Sequence, residues 1–390
     1  MSRPRRRSAF VAVAALATVA ACSGDSPLTP TGIAGARDPG DVHADKAVAV
    51  MTRNLYLGSD LAPVLRAQSP LALLMGASQM WATIQASDFP ARAGALAREI
   101  EATRPALVGL QEATLYRVQV PSDNVGPQPT PATMVRYDFL ALLLDSLAAR
   151  GLDYRAAATA WNFDAELPAF VAPGVLGDVR LTDRDVILAR GDVATSDART
   201  GLFVARVPIR VGGTNGPMLF IPRGWASVVA EVDGRTFRFV DAHLETEGFG
   251  PVQVAQGREL VALLAAEPLP TVLVGDMNSD AFGGSTPTYA ELRAAGFADA
   301  WSQARPDDPG LTCCHDERLR EETPFHSRID LVLFRDPKLG SARGPFDALA
   351  AAIVGADPLG RTASGLWGSD HAGVVATFRM PNRPQRQAAP

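Results

Sequence analysis

Three cysteines in 390 residues are too few for a disulfide framework. No run reaches about 18 consecutive apolar residues, so an ordinary membrane-spanning helix is excluded. An excess of positive charge is missing too. The chain has 37 basic and 42 acidic side chains and a formal charge of −5, which argues against binding nucleic acid through a basic surface. It has no fixed-period repeat, and no close Cys/His spacing that would suit zinc. Apolar residues make up 47% and charged ones 20%, an ordinary globular composition that excludes global disorder. The length allows two or three domains, or one large α/β domain with insertions.

Met1–Arg7 carries four arginines and no acid, and Ala9–Ala21 is a 13-residue run that is apolar except for Thr18. A basic start, a short apolar run and small residues before a cut read as an export signal. Val19-Ala20-Ala21-Cys22 resembles the bacterial lipoprotein cleavage box. That resemblance implies a signal over 1–21, lipidation of Cys22 and a lipid anchor in the cell envelope, at the outer membrane or cell surface. An ordinary signal with a chance cysteine would give a secreted protein instead. Losing the four arginines takes the formal charge from −5 to −9. Residues 22–45 are rich in Gly, Pro, Ser, Thr and Asp and read as a tether, and 381–390 as a disordered tail. The expected domain spans 46–380.

Within that span, short apolar runs predict buried strands at Ala47–Met51, Ala106–Leu110, Val186–Ala189, Ala226–Val232, Thr236–Val240, Thr271–Val274, Ile329–Phe334 and Gly373–Phe378. Helical stripes are formed by Ala93, Leu96, Ala97 and Ile100, by Tyr137, Leu140, Leu144 and Leu147, and by Leu260, Leu263 and Leu264 after Pro251. The fold class is α/β or α+β. Ala62–Asp88 and Pro121–Thr133 read as insertions, either functional lids or packing decoration.

Polar residues gather at the strand ends. Val272–Val274 runs into Gly275-Asp276-Met277-Asn278, and alternation in an extended chain projects Asp276 and Asn278 together. Other runs end in Arg53-Asn54, Gln111-Glu112 and His243, and Asp370-His371 precedes the last strand. Asp330 sits between Ile329 and Leu331, and a buried carboxylate needs a partner. Of the five histidines, His43 lies in the tether and His315 and His326 in a polar loop region; only His243 and His371 adjoin strand ends near carboxylates. Oxygen donors favour Mg2+, Mn2+ or Ca2+, and two histidines can move protons near neutral pH. This set suits metal-assisted hydrolysis of a phosphoester.

The motifs Thr52-Arg53-Asn54-Leu55, Leu110-Gln111-Glu112, Ala242-His243-Leu244, Gly275-Asp276-Met277-Asn278, Arg328-Ile329-Asp330 and Ser369-Asp370-His371, in this order, resemble those of the endonuclease/exonuclease/phosphatase superfamily. The resemblance implies a four-layer α-β-β-α sandwich of the deoxyribonuclease I-like type with the site at one rim of the sheets. It implies Glu112 as the principal metal ligand, with Asn54 and Asp370 contributing through oxygen or bound water. Asp276 then orients or deprotonates the attacking water, and Asn278 holds the phosphate or the metal shell. His371, oriented by Asp330, is a base or a stabiliser, and His243 a candidate acid. Asp183 or Asp185 is a candidate support for His243, and Arg184 for a phosphate contact; surface charge is the alternative for all three. The implied activity is that of a Mg2+-dependent phosphodiesterase or phosphomonoesterase acting as a monomer outside the cytoplasm. Its substrate would be a lipid headgroup, a nucleic acid or a small phosphoester. The alternative is a non-catalytic surface-binding lipoprotein that retains the fold. Cys313-Cys314 reads either as an oxidised pair or as two buried thiols, and spacing does not place Trp161–Asp164 in or out of the site.

Overall fold

The computed structural model describes residues 47–124, 128–214, 216, 218–337 and 347–379. The expected signal, Cys22, the tether with His43, and the tail lie outside the described residues. The strands in chain order are β1 (Ala47–Asn54), β2 (Leu107–Gln111), β3 (Leu115–Gln119), β4 (Met134–Asp138), β5 (Tyr154–Ala172), β6 (Val175–Arg190), β7 (Ala194–Leu202), β8 (Val207–Arg210), β9 (Met218–Ile221), β10 (Gly224–Val232), β11 (Arg235–His243), β12 (Thr271–Asp276), β13 (Ala298–Asp299), β14 (Asp330–Arg335), β15 (Asp347–Val354) and β16 (Gly373–Arg379). The helices are α1 (Ala62–Leu65), α2 (Pro70–Ala86), α3 (Phe89–Thr103), α4 (Phe139–Ala148), α5 (Gly250–Leu264), α6 (Thr288–Ala294) and α7 (Ala300–Ala304).

Two sheets form the centre. One is ordered β15-β16-β1-β2-β6-β3-β4, with β5 also paired to β6; the other is ordered β13-β14-β12-β11-β10-β7. Each has one parallel pair, β1 with β2 and β11 with β12, flanked by an antiparallel strand, β16 or β14. Parallel neighbours need a crossover. Helices α1 to α3 make the first and α5 the second.

Alternation along the strands sorts side chains into three apolar layers. Val48, Val50, Leu107 and Ile187 of the first sheet meet Val228, Phe239, Val272 and Val332 of the second. On the outside of the first sheet, Met51, Val108, Leu110 and Leu188 pack against Trp81 of α2, Leu96 and Ile100 of α3, and Phe139 and Leu143 of α4. On the outside of the second, Val240, Leu273 and Leu331 pack against Leu260 and Leu264 of α5 and Leu292 of α6. Helices, sheet, sheet and helices make the four layers the motifs implied. Gly109 of β2 faces Val274 and Asp241 of the second sheet. A Cβ there would lie 2.5 Å from a Val274 methyl and 2.7 Å from Asp241 Oδ1, so no side chain fits.

Six of the eight expected apolar strands fall within observed ones, and Ala106–Leu110 and Ile329–Phe334 each start one residue before theirs. Three expectations shift. Asp138 caps α4 by accepting from the Ala141 N–H, so the helix starts at Phe139 and buries Phe139, Leu143 and Leu147; Tyr137 belongs to β4. In α5, Leu260 and Leu264 are buried while Leu263 faces outward, because the buried stripe continues through Gln253, Gln256 and Gly257. Ala62–Asp88 is largely helical, as α1 and α2. The hairpin of β5 and β6 has strands of 19 and 16 residues, and most of its length escapes sequence reading because β5 and the outer part of β6 are half-exposed and polar.

Arg92 of α3 is fully buried and donates to four backbone carbonyls, those of Leu55, Tyr56, Ser87 and Gly368. It joins α3 to the segments after β1 and before β16. Replacing it by Met strands those acceptors, so urea unfolding should show a loss of about 3–5 kcal/mol. A loss below about 1 kcal/mol would mean that the clamp contributes little.

Candidate active site

The parallel pairs of both sheets point their C-terminal ends at one rim, and the antiparallel flanking strands start there. This topology places Asn54 at the end of β1, Glu112 just past β2, His243 at the end of β11, and Asp276 and Asn278 at the end of β12. Asp330 opens β14 directly opposite Asp276, and Asp370-His371 precedes β16. Tyr56, Glu112 and Asn278 have φ of 58°, 57° and 47°, a left-handed conformation that costs a bulky residue about 1–2 kcal/mol. Such strain is tolerated where the surroundings hold it, and here it turns each chain at the rim.

Asp276 is the centre of the hydrogen bonding. Its Oδ1 accepts from the Asn278 N–H at 3.0 Å and its Oδ2 from Asn54 Nδ2 at 3.2 Å. Oδ2 also lies 3.6 Å from His243 Nε2 and 3.9 Å from His371 Nε2. Burial pushes the carboxyl up to about 7; His371 opposes that and Asp330 adds to it. Glu112 accepts from the Leu57 N–H at 2.6 Å and is likewise pushed up to about 7 by burial, then by Asp370 and Asp183. Asp370 is raised mainly by burial.

The two histidines are driven apart. For His371 burial opposes the charged ring, but Asp330, Asp370 and Asp276 outweigh it and hold the ring well above its ordinary value. Asp330 Oδ2 lies 2.9 Å from its Nδ1. For His243 burial dominates, then Arg223 and His371, and the ring is held well below its ordinary value. Arg223 Nη1 stands 3.2 Å from His243 Nδ1, and Asn278 Nδ2 stands 3.4 Å from its Nε2. The charged histidine of this site is therefore His371. The Arg223 cation beside His243 disfavours a charged ring there.

Asp183 and Asp185 point into the site from β6, and Asn162 Nδ2 of β5 donates to both, at 3.2 and 2.7 Å. Asp185 Oδ1 is 3.9 Å from His243 Nδ1. Arg184 lies between them in sequence, so strand alternation sends it to the opposite face. There it donates to the Ala113 carbonyl and pairs with Asp138, away from the phosphate position assigned to it from sequence. Arg223 was not found by sequence reading, though an available signal was that it directly precedes the antiparallel strand β10 at this same rim. Burial works against its cation, but Glu245, Asp183 and Glu112 outweigh it and keep it charged. Cys313 and Cys314 are joined as a disulfide, and Cys314 Sγ is 3.7 Å from His371 Nε2. The histidine beside the pair is thus His371 as well as the adjacent His315. The surrounding loop hydrogen-bonds through Thr312 and His315 to the backbone of Ala372 and Asp370.

The donor set fits a hard cation. Oδ1 of Asp183, of Asp185 and of Asn162 are buried acceptors without a hydrogen-bond partner, among several carboxylates that burial penalises. Among the described residues, two groups have donor atoms within 4.8 Å of one another and include carboxylates: Asp183 with Asp185 and His243, and Asp276 with Asp330 and His371. Glu112 and Asp370 face the same cleft, whose volume is about 890 Å3, but belong to none of these close groups.

A four-layer sandwich with carboxylates, amides and paired histidines at the rim of its two sheets defines a class of layered phosphoester hydrolases. The sequence pattern of the Endonuclease/Exonuclease/phosphatase family matches residues 74–371, and this chain belongs to that family. Its members are hydrolases acting on phosphoesters. The match begins after Asn54 and ends at His371. No curated protein matches the chain. Among solved structures, it resembles a family protein from Bacteroides thetaiotaomicron at 14% identity and a TM-score of 0.53, covering 86% of this chain and 98% of that one. A mannosyl-6-phosphatase of the same organism gives 16% identity and a TM-score of 0.51 over 85% and 99% of the two chains. A family protein from Beutenbergia cavernae gives 20% and 0.50 over 86% and 72%. At these identities the likeness is one of fold.

Two measurements check the electrostatics. Glu112 and Asp276 have folded-state pKa values near 7, above their ordinary 4.5 and 3.8. Their contribution is fully present below the ordinary values and is lost as pH rises through about 7. Thermal melts of chelator-treated protein should therefore fall from pH 5 to 8, and Glu112→Gln should flatten the decline. Melts that rise over that range, or a variant with an unchanged slope, contradict the assignment. Asp330→Asn should lower the His371 titration followed by NMR of the ring protons; an unmoved titration would show that Asp330 does not hold that proton.

Proposed function

We propose that the chain is a divalent-cation-dependent phosphoesterase, with Mg2+ as the expected ion and Mn2+ or Ca2+ as alternatives. The observation that carries this reading is Asp276, a buried carboxylate fixed by Asn54 and the Asn278 N–H with the Nε2 atoms of two histidines within 4 Å of its Oδ2. The ion would be held by Glu112 with Asn54 and Asp370, or by Asp183 and Asp185 across the cleft. When bound it offsets charge on the phosphoryl oxygens. Asp276 accepts the proton of the attacking water, since its pKa is matched to neutral pH. Its two fixed oxygens keep the carboxylate aimed. His371, charged and braced by Asp330, stabilises the developing charge and gives a proton to the departing oxygen. His243 flanks Asp276, and Arg223 binds a non-bridging phosphate oxygen. Asn278 anchors the turn by donating to the Leu244 carbonyl at 3.0 Å.

The substrate is read as a phospholipid-like ester or a nucleic acid. The location is read as the cell envelope, through residues 1–21 as a signal and a lipidated Cys22, or otherwise as secreted. The protein is read as a monomer. Export rests on the basic and apolar N-terminal pattern, and the formal charge of −9 after cleavage favours ion-mediated over surface-mediated phosphate binding.

Purified protein should hydrolyse bis(p-nitrophenyl) phosphate with Mg2+ and stop with EDTA. Asp276→Ala and His371→Ala should each reduce kcat by about 100- to 10,000-fold. Equal rates in wild type and both variants, with and without EDTA, would remove the assignment. Metal-independent binding of a surface ligand without hydrolysis would favour a binding protein on the same fold.

A further inference from the structure

A second pocket opens beside the cleft and shares Leu61, Leu65 and Ile221 with it as a common ridge. Its walls come from α1, α2, the β5–β6 hairpin, β3 and β9, with Trp81, Phe163 and Leu181 among them. No charged residue lines it. Tyr116 stands in the same wall; its hydroxyl donates to the Leu57 carbonyl at 2.9 Å, and the Leu57 N–H holds Glu112 at 2.6 Å. One hydrogen-bonded residue therefore separates the apolar wall from a carboxylate of the site. The cavity measures about 70 Å3. That is roughly half the volume that holds a benzene ring, and room for two or three methylene-sized groups. Voids of this size are few in protein interiors.

We infer that this pocket receives a short apolar chain from the alcohol esterified to the substrate phosphate, so that the enzyme takes amphiphilic, lipid-like phosphodiesters. Continuity with the cleft sets the occupant. A chain entering over the ridge of Leu61, Leu65 and Ile221 must be attached to a group bound at the phosphoester site. A charged or strongly hydrated ligand would lose its water without compensation in these walls. A nucleotide base is too large for the volume. The inference rests on the phosphoesterase reading and narrows it to one of its two substrate classes.

The test is a series of 4-nitrophenyl alkyl phosphodiesters from methyl to hexyl, assayed with Mg2+. Each methylene buried contributes about 0.8 kcal/mol, or roughly a fourfold gain. We expect kcat/KM to rise about fourfold per carbon over the first two or three and then level off. Ala165→Phe should fill the pocket and flatten the series while leaving the methyl ester unchanged. Ala77→Leu, from the opposite wall, serves if the first variant folds poorly. A second readout needs no turnover: butyl phosphate should raise Tm more than methyl phosphate in wild type, and equally in the filled variants. A flat series in wild type, or an undiminished slope in the filled variants, overturns the inference. If no diester is hydrolysed yet butyl phosphate still stabilises selectively, the pocket stands and the hydrolase reading falls; if neither occurs, both fall.

Discussion

Buried carboxylate charge is the constraint on which the rest of this structure turns. Asp183, Asp185, Asp276, Asp330 and Glu112 converge where the strand ends of two sheets meet, and desolvation raises the pKa of Asp183, Asp185, Asp276 and Glu112. Left alone, such groups would take protons or force the sheets apart. The fold answers with fixed donors. Asn54, Asn162 and the N–H groups of Leu57 and Asn278 point at the carboxylates, and Arg223 and His371 supply positive charge. The balance stays incomplete, since several buried oxygens have no partner. That shortfall makes the rim receptive to a cation and, through it, to phosphate.

Two buried arginines keep this arrangement from relaxing. Arg53 pairs with Glu99 of α3 at 2.8 Å and donates to the His371 carbonyl. Arg92 ties the same helix to the segments on either side of the cleft. Neither touches the reacting position. Both fix the backbone from which Asn54, Asp370 and His371 project, so helix α3 acts as a brace for residues drawn from opposite ends of the chain. The long hairpin of β5 and β6 does the same from the other side. Its inner half carries Asp183 and Asp185, and its outer half walls the apolar pocket.

Legibility in the sequence followed burial. The central strands are apolar on both faces, so β1, β2, β11, β12 and β14 stood out as runs, and the polar residues that ended them marked the site. The edges did not. Strand β7 is exposed along nearly all its length, and β5 alternates without a strong apolar period, so neither produced a signal. Arg184 was a candidate because it sits between two aspartates, yet alternation separates it from them by the thickness of the strand. Arg223 has no motif around it, and only the pairing of β10 with β11 brings it to His243.

By itself the sequence determined the type of chemistry, because residue types at strand ends are a local property. An apolar run ending in a carboxylate or a histidine projects that group from the sheet whatever the strand's neighbours are. The tertiary structure decided which groups carry charge. His243 and His371 are equivalent as sequence, and only their surroundings make one neutral beside Arg223 and the other an imidazolium among Asp330, Asp370 and Asp276. Electrostatic interaction depends on distance through space, and residues hundreds of positions apart acquire those distances only when the two sheets close on each other.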